Sequence, residues 1–161
     1  MKVSVVTPNY NGERFLKTFL ESLNEDSEYI GEVIIIDNGS SDSSIDYLKN
    51  NKFNFPLVLI ENKENVGFSP AVNQGIRKAK NSLIFSINND TEIKKGSIKK
   101  LIDLITSSDD IFSVQAKMLQ YNNKDLIDDV GDEYNLLAWT KKVGENHKSS
   151  EYVEVRDIFS S

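Results

Sequence analysis

The sequence predicts an α/β protein with a mainly parallel sheet, because short buried strands alternate along it with helical patterns. Three apolar runs rich in Val and Ile pass directly into polar loops: Val3–Val6 into 7–12, Val33–Ile36 into 37–42, and Leu83–Ile87 into 88–91. Such runs are typical of strands buried on both faces of a parallel sheet. Ligands of open parallel sheets bind beyond the carboxyl ends of the strands. We therefore expect the three polar loops to form one crevice.

Strands and helices alternate over the whole chain in this prediction, as they do in βαβ units. Six strands are predicted, at 2–7, 32–37, 56–61, 82–87, 112–119 and Tyr152–Ile158. Four helices are predicted: after the first loop with Asn11 as its cap, over Ser41–Asn50, from Ser69-Pro70, and after Gly96. Residues 120–150 are polar, show no clean period and read as a long excursion from the sheet.

Composition narrows the class of protein and its partners. The chain has 161 residues, which predicts a single domain over 1–161 with a substantial core. Its net charge of −6 argues against a nucleic-acid partner. The absence of cysteine fits a reducing compartment, and no apolar run approaches the ~20 residues that span a bilayer. We expect a soluble cytoplasmic chain, with a peripheral contact at the inner face of the membrane left open.

Asp37 and Asp90 are the carboxylates placed at the predicted crevice. Asp37 either forms a turn by bonding nearby backbone N–H groups or accepts a hydrogen bond from a nucleotide. Asp90 either belongs to an Asn-Asn-Asp-Thr turn or binds Mg²⁺ or Mn²⁺, which often take one or two protein carboxylates together with phosphate oxygens. The sequence contains neither a Walker-type phosphate loop nor a Gly-x-Gly-x-x-Gly after its first strand, which argues against ATPases and dehydrogenases.

Four motifs in register give a resemblance to a known family. VVTPNYNG, IIIDNGSSD, NVGFSPAVNQGI and INNDTEI, in this order and spacing, resemble the donor half of family 2 glycosyltransferases, in particular rhamnosyltransferase-like bacterial enzymes that build surface polysaccharide. The resemblance implies a GT-A fold, with a mainly parallel sheet between two helical layers. It also implies a nucleotide-diphosphate sugar donor (UDP-, dTDP- or GDP-linked), a divalent cation, Mg²⁺ or Mn²⁺, and a saccharide or lipid-linked acceptor.

The same resemblance assigns site residues by position. Asp90 would bind the metal as the final carboxylate of an Asp-x-Asp-like motif, and Asp37 would hydrogen-bond the nucleotide. The other residues assigned to the nucleotide and donor are Thr7, Pro8, Asn9, Tyr10, Asn65, Gly67, Phe68, Asn73 and Asn89.

The resemblance also implies that something is missing. The family's acceptor half, with the acidic pair that supplies the catalytic base, does not follow the predicted strand at Tyr152–Ile158, so the chain is expected to be truncated and its base is unassigned. The favoured hypothesis is an inverting glycosyltransferase represented mostly by its donor-binding half. The alternative is a nucleotide-sugar-binding module without turnover. A receiver-like signalling domain is a third hypothesis, but Thr7-Pro8-Asn9 does not supply the acidic pair it requires. Oligomeric state is left open.

Overall fold

The structure is a computed structural model that describes residues 1–134 and 139–158. The chain divides into two compact units, Met1–Ile102 and Asp103–Ser161. Each unit is described by itself below. Among the described residues, no helix is both long enough and apolar enough to cross a membrane.

The first unit is built on four parallel strands. They are β1 (Val3–Asn9), β2 (Ile30–Asp37), β3 (Leu57–Glu61) and β4 (Leu83–Ser86), in the sheet order β3-β2-β1-β4. All three strand pairs are parallel. This confirms the parallel sheet and the first four predicted strands. The order reverses between β1 and β4, which makes the gap at their carboxyl ends the topological switch point where ligands of such sheets bind.

Four helices connect and follow these strands: α1 (Glu13–Asn24), α2 (Ser44–Asn50), α3 (Phe68–Lys78) and α4 (Ser97–Ile105). The chain moves outward from β1 to β3 through α1 and α2, and returns to β4 through α3. With right-handed crossovers, the outward and the returning connections must cover opposite faces of the sheet.

The core confirms that the sheet is covered on both faces. On one face, Val5 and Ile35 pack with α1, α2 and α4, and Phe19 of α1 is fully buried there. On the other face, Val6 and Ile34 pack against α3. Consecutive residues of one strand point to opposite faces, so a strand covered on both sides is largely apolar along its length. This is why the short apolar runs of the sequence indicated strands of a parallel sheet.

Helix α3 approaches the sheet closely through Gly75, and this contact gives a testable prediction. A Cβ at Gly75 would lie 2.7 Å from Ile36 Cδ1 and 2.5 Å from Val6 Cγ1. Alanine favours the helix by ~1 kcal/mol, but forcing a methyl group into a packed core costs ~1–3 kcal/mol. We expect Gly75→Ala to lower the free energy of unfolding by up to about 2 kcal/mol in urea denaturation. Arg77→Ala, at an exposed position of the same helix, is the control, and a midpoint raised by Gly75→Ala would contradict the prediction.

Helices α1, α2 and α3 start one to three residues away from their predicted positions. Helix α1 begins at Glu13 with Gly12 as its N-cap, not Asn11. Asn11 has a positive φ of 50°, and its Oδ1 accepts a hydrogen bond from the backbone of Ser41. Helix α2 begins three residues after Ser41, and α3 begins one residue before Ser69. Of the two predicted caps, Asn11 instead joins the loop after β2, and Ser69 lies inside the first turn of α3.

The second unit contradicts the last two predicted strands. Of 112–119, only Met118–Leu119 (β5) is a strand, and it pairs antiparallel with Ile127–Asp129 (β6). Another antiparallel pair joins Asp132–Tyr134 (β7) to Thr140–Lys142 (β8). Tyr152–Ile158 has no regular secondary structure. Each of these two segments leaves an apolar side chain uncovered, since Phe112 is 97% and Val153 77% exposed. The prediction of a single domain over 1–161 stays a prediction.

Candidate functional site

A cleft of about 260 Å³ lies at the carboxyl edge of the sheet, within the first unit. The chain contributes to it at the ends of β1 and β2, in the loop before α3, and in the loop after β4. The lining residues are Pro8, Asn9, Tyr10, Asn38, Asn65, Phe68, Asn88, Asn89 and Asp90. The three polar loops therefore meet at one place, as predicted from the sequence.

Asp37 ends β2 and is fully buried next to this cleft. Its Oδ1 accepts a hydrogen bond from the backbone N–H of Ser40 at 2.8 Å. Its Oδ2 accepts from the Ser40 hydroxyl and from Asn9 Nδ2, both at 2.7 Å. The carboxylate thus forms the turn that follows β2 and also holds the end of β1, which is the turn-forming alternative considered for this residue.

Asn9 ends β1 and links this turn to the loop after β4. Its Nδ2 donates to Asp37, and its Oδ1 accepts from Asn89 Nδ2 at 2.6 Å. Gly12 lies directly against this amide pair, because a Cβ there would meet both Asn9 Oδ1 and Asn89 Nδ2. Hydrogen bonds between side chains therefore join the end of β2, the end of β1 and the loop after β4 across the switch point.

A second set of amides fixes the loop that leads into α3. Asn38 Nδ2 donates to the carbonyl of Gly67 at 3.2 Å, and Asn38 Oδ1 accepts from Asn62 Nδ2 at 2.9 Å. Asn65 Oδ1 accepts from the backbone N–H of Gly67 at 2.9 Å. Gly67 has a φ of +90°, which side-chain-bearing residues rarely adopt. These contacts place Asn65 and Phe68 on the wall of the cleft.

Asp42 ties the same edge to helix α1. Its Oδ2 accepts from the backbone N–H of Glu13 at 2.9 Å, and its Oδ1 accepts from the N–H of Ser44 at 3.0 Å. Both donors are first-turn N–H groups, of α1 and of α2, which have no partner within their own helices. One side chain therefore holds the starts of two helices beside the cleft.

Asp90 is the carboxylate that lines the cleft, and its side chain is exposed. Its loop is held further along the chain, where the backbone N–H of Ile93 donates to Ser22 Oγ at 3.0 Å. The described residues contain no group of three or more His, Cys, Asp or Glu side chains that could hold a metal ion by themselves. One carboxylate beside the amide oxygens of Asn88 and Asn89 fits Mg²⁺ or Mn²⁺ only when phosphate oxygens and water complete the coordination.

Two aromatic rings also line the cleft. Tyr10 follows β1 and is 53% exposed, and Phe68 begins α3 and is 58% exposed. Exposed rings beside a polar cleft offer flat apolar surface to a planar ligand group such as a nucleobase. The cleft therefore combines surfaces suited to a base with a carboxylate suited to a cation.

The structure brings together most, but not all, of the residues assigned from the sequence. Seven line the cleft: Pro8, Asn9, Tyr10, Asn65, Phe68, Asn89 and Asp90. Thr7 and Asp37 are fully buried, Gly67 acts through its backbone, and Asn73 is exposed on α3 without lining the cleft. The ligand roles of all these residues stay predictions. Asn38 and Asn88 line the cleft and were missed, although both stand in the polar loops that had been singled out.

The fold matches that of solved proteins in complex with nucleotide sugars. It is similar to S. aureus TarS 1–349 in complex with UDP-GlcNAc (TM-score 0.59, 24% identity, 65% of this chain and 31% of that one). It is also similar to the mannosyltransferase PcManGT from Pyrobaculum calidifontis in complex with GDP-Man and Mn²⁺ (TM-score 0.61, 20% identity, 66% and 32%). These matches, together with the parallel sheet and the cleft at its switch point, identify a GT-A fold.

Sequence comparison gives the family. The sequence model of glycosyl transferase family 2 matches residues 4–147, and the chain belongs to that family. One relative is the uncharacterized glycosyltransferase YfnE of Bacillus subtilis, 36% identical over 105 residues, which are 63% of this chain and 26% of that protein. The chain thus spans about a quarter to a third of the length of these three proteins.

Proposed function

We propose that this chain binds a nucleoside-diphosphate sugar in the cleft, as the donor-binding part of an inverting glycosyltransferase. The observation that carries the proposal is the composition of the cleft at the switch point. Tyr10 and Phe68 offer ring surfaces to the base, and Asp90 offers a carboxylate to a divalent cation beside the diphosphate. Family membership supports the same function.

In the parent reaction the oxygen of an acceptor hydroxyl group attacks the anomeric carbon of the sugar, and the nucleoside diphosphate leaves. A bound Mg²⁺ or Mn²⁺ supplies a positive charge that stabilises the negative charge on that leaving group. The residues of this chain would bind and orient the donor, with Asp90 as the metal ligand. The base that deprotonates the acceptor is not assigned to any residue of the chain.

In this proposal, the class of acceptor and the cellular location are inferred from family membership. We infer a saccharide or lipid-linked acceptor, work in polysaccharide synthesis, and a cytoplasmic location with contact at the inner face of the membrane. Residues 1–161 would contribute the donor-binding part to this work. Support for these points comes from the family, and the geometry of the cleft adds none.

A thermal-shift screen of UDP, dTDP and GDP, each with and without Mn²⁺, tests the binding proposal. We expect one of the three to raise the melting temperature by several degrees with Mn²⁺, since a ligand at ~100 times its Kd stabilises by about 2.7 kcal/mol. The shift should be smaller without the metal. Mn²⁺ alone and inorganic tripolyphosphate with Mn²⁺ are the controls. Equal shifts with all three nucleotides and tripolyphosphate, or none at all, would overturn the proposal.

A further inference from the structure

Three side chains form a continuous chain of hydrogen bonds across the switch point. Asp37 at the end of β2 accepts from Asn9 Nδ2 at 2.7 Å, and Asn9 Oδ1 at the end of β1 accepts from Asn89 Nδ2 at 2.6 Å. Asp37 and Asn9 are buried, while Asn89 lines the cleft. The chain therefore runs from the interior to the ligand surface.

Asp37 determines the direction of these hydrogen bonds. A carboxylate can only accept, so Asn9 must turn its NH₂ group toward it. Both N–H groups of Asn9 are used on that side, one to Asp37 and one to Ser40 Oγ at 3.2 Å. Turning this amide over would set its oxygen against a carboxylate oxygen. The shape of an amide leaves its orientation ambiguous, but here the acceptor-only partner decides it.

The orientation of the Asn9 amide in turn determines that of the Asn89 amide. With its nitrogen committed to Asp37, Asn9 presents Oδ1 to Asn89, and Asn89 must donate through Nδ2. One N–H of Asn89 is thus used on Asn9, and its Oδ1 accepts no hydrogen bond from the described residues. The pair lies against Gly12, where a Cβ would meet both amides and displace them.

We propose that Asp37 and Asn9 are positioning residues that turn an N–H of Asn89 toward Asn9 and so leave its oxygen available to the ligand beside Asp90. The ligand chemistry that this oxygen serves is a hydroxyl group of the nucleotide sugar or a divalent cation. The ligand rests on the function proposed above, whereas the orientation of the amides does not. Asp37 thus acts on the cleft from the interior, through two amides.

Asp37→Asn tests the proposal because it keeps the shape of the side chain while it removes the negative charge and reverses the direction of the hydrogen bond to Asn9; the double variant described below returns the charge. The new side chain has the same shape and would offer an NH₂ group to Asn9. Asn9 would then turn over, and Asn89 would present its NH₂ group to the ligand. We expect nucleoside-diphosphate affinity, measured by calorimetry with Mn²⁺, to fall about tenfold. A loss seen only with Mn²⁺ identifies the cation as the partner of Asn89, and an equal loss without Mn²⁺ identifies a hydroxyl group.

Two further variants separate this effect from general damage. In an Asn89→Ala background, Asp37→Asn should cause no further loss of affinity, because the amide it acts through is gone. Combining Asp37→Asn with Asn9→Asp returns an acceptor to Asn89 and should restore most of the affinity. Asn50→Ala, exposed at the end of α2, is the matched control. A double variant no better than Asp37→Asn alone would overturn the proposal.

Side-chain amide exchange in the ligand-free, ¹⁵N-labelled chain keeps the two proposals apart. We expect the NH₂ groups of Asn9 and Asn89 to exchange slowly in the wild type, and that of Asn89 to exchange faster in Asp37→Asn. Unchanged exchange at Asn89 in a folded Asp37→Asn variant would overturn the inference. If the wild type binds no nucleotide, the proposed function fails, and these spectra still decide the orientation.

Discussion

Asp90→Ala is expected to abolish the metal-dependent part of nucleoside-diphosphate binding. Asp90 is the carboxylate that lines the cleft, and its neighbours there, Asn88 and Asn89, offer uncharged oxygens. A hard cation bound by so few protein groups depends strongly on its charged one. We expect the Kd measured by calorimetry with Mn²⁺ to rise about 10- to 100-fold, toward the value without metal, as for the loss of one charged interaction.

Two other variants sharpen this experiment. Asp90→Asn keeps the shape of the side chain and one of its oxygens but removes the charge. It should retain a small part of the increase in affinity that Mn²⁺ gives. Asp109→Ala removes an equally exposed carboxylate from the turn after α4 and should leave binding unchanged. If Asp90→Ala bound the nucleotide as the wild type does in the presence of Mn²⁺, the metal assignment would be wrong.

The sheet could be predicted from the sequence because its strands are covered on both faces. Val5 and Val6 are consecutive and both fully buried, on opposite faces, and a largely apolar run is typical of that arrangement. The same logic failed at 112–119, where no residue is fully buried. Phe112 is almost fully exposed, so an apolar pattern alone did not show whether a second layer would meet it.

The position of the cleft could also be predicted, but the direction of its side chains could not. Parallel strands end at one edge, so the loops had to converge. Whether a polar residue there faces the ligand or the interior depends on the turn that follows it. Asp37 turns inward because the Ser40 N–H and hydroxyl lie within its reach, while Asn38, one residue later, lines the cleft. The contacts of Asp37 with Ser40 are local, but the hydrogen bonds that Asn9 makes with Asp37 and Asn38 makes with Gly67 join segments 28 and 29 residues apart, and no local pattern encodes them.

The helix starts illustrate the same limit. Asn11 and Ser69 carry the side chains that normally cap helices, and the sequence places both correctly near a start. In the structure, however, Asn11 Oδ1 accepts from the backbone of Ser41 in the loop after β2. The side chain of Asn11 is therefore engaged by a distant loop and does not cap the helix. Gly12 takes the N-cap position, and α1 begins at Glu13.

Asp37→Ala is expected to lower both the stability of the fold and its affinity for nucleotide. The substitution removes the acceptor from the backbone N–H of Ser40 and from Asn9 Nδ2 in a fully buried place. Leaving buried donors unsatisfied costs ~1–3 kcal/mol each, so we expect the free energy of unfolding to fall by about 2–4 kcal/mol in urea denaturation. Because the ends of β1 and β2 then lose their link, affinity should fall with and without Mn²⁺.

Glu32→Ala is the matched control, because Glu32 is a second buried carboxylate of the same sheet at its opposite edge. Glu32 Oε1 accepts from Ser4 Oγ at 2.8 Å and from the backbone N–H of Lys80 at 2.7 Å, and it is 3% exposed. Its loss should cost a similar free energy of unfolding and leave nucleotide affinity unchanged in the folded protein. If the two variants destabilise the chain equally and neither changes nucleotide affinity, Asp37 serves the fold alone. A loss of affinity confined to Asp37→Ala would instead tie this buried carboxylate to the cleft, because stability alone could not account for the difference.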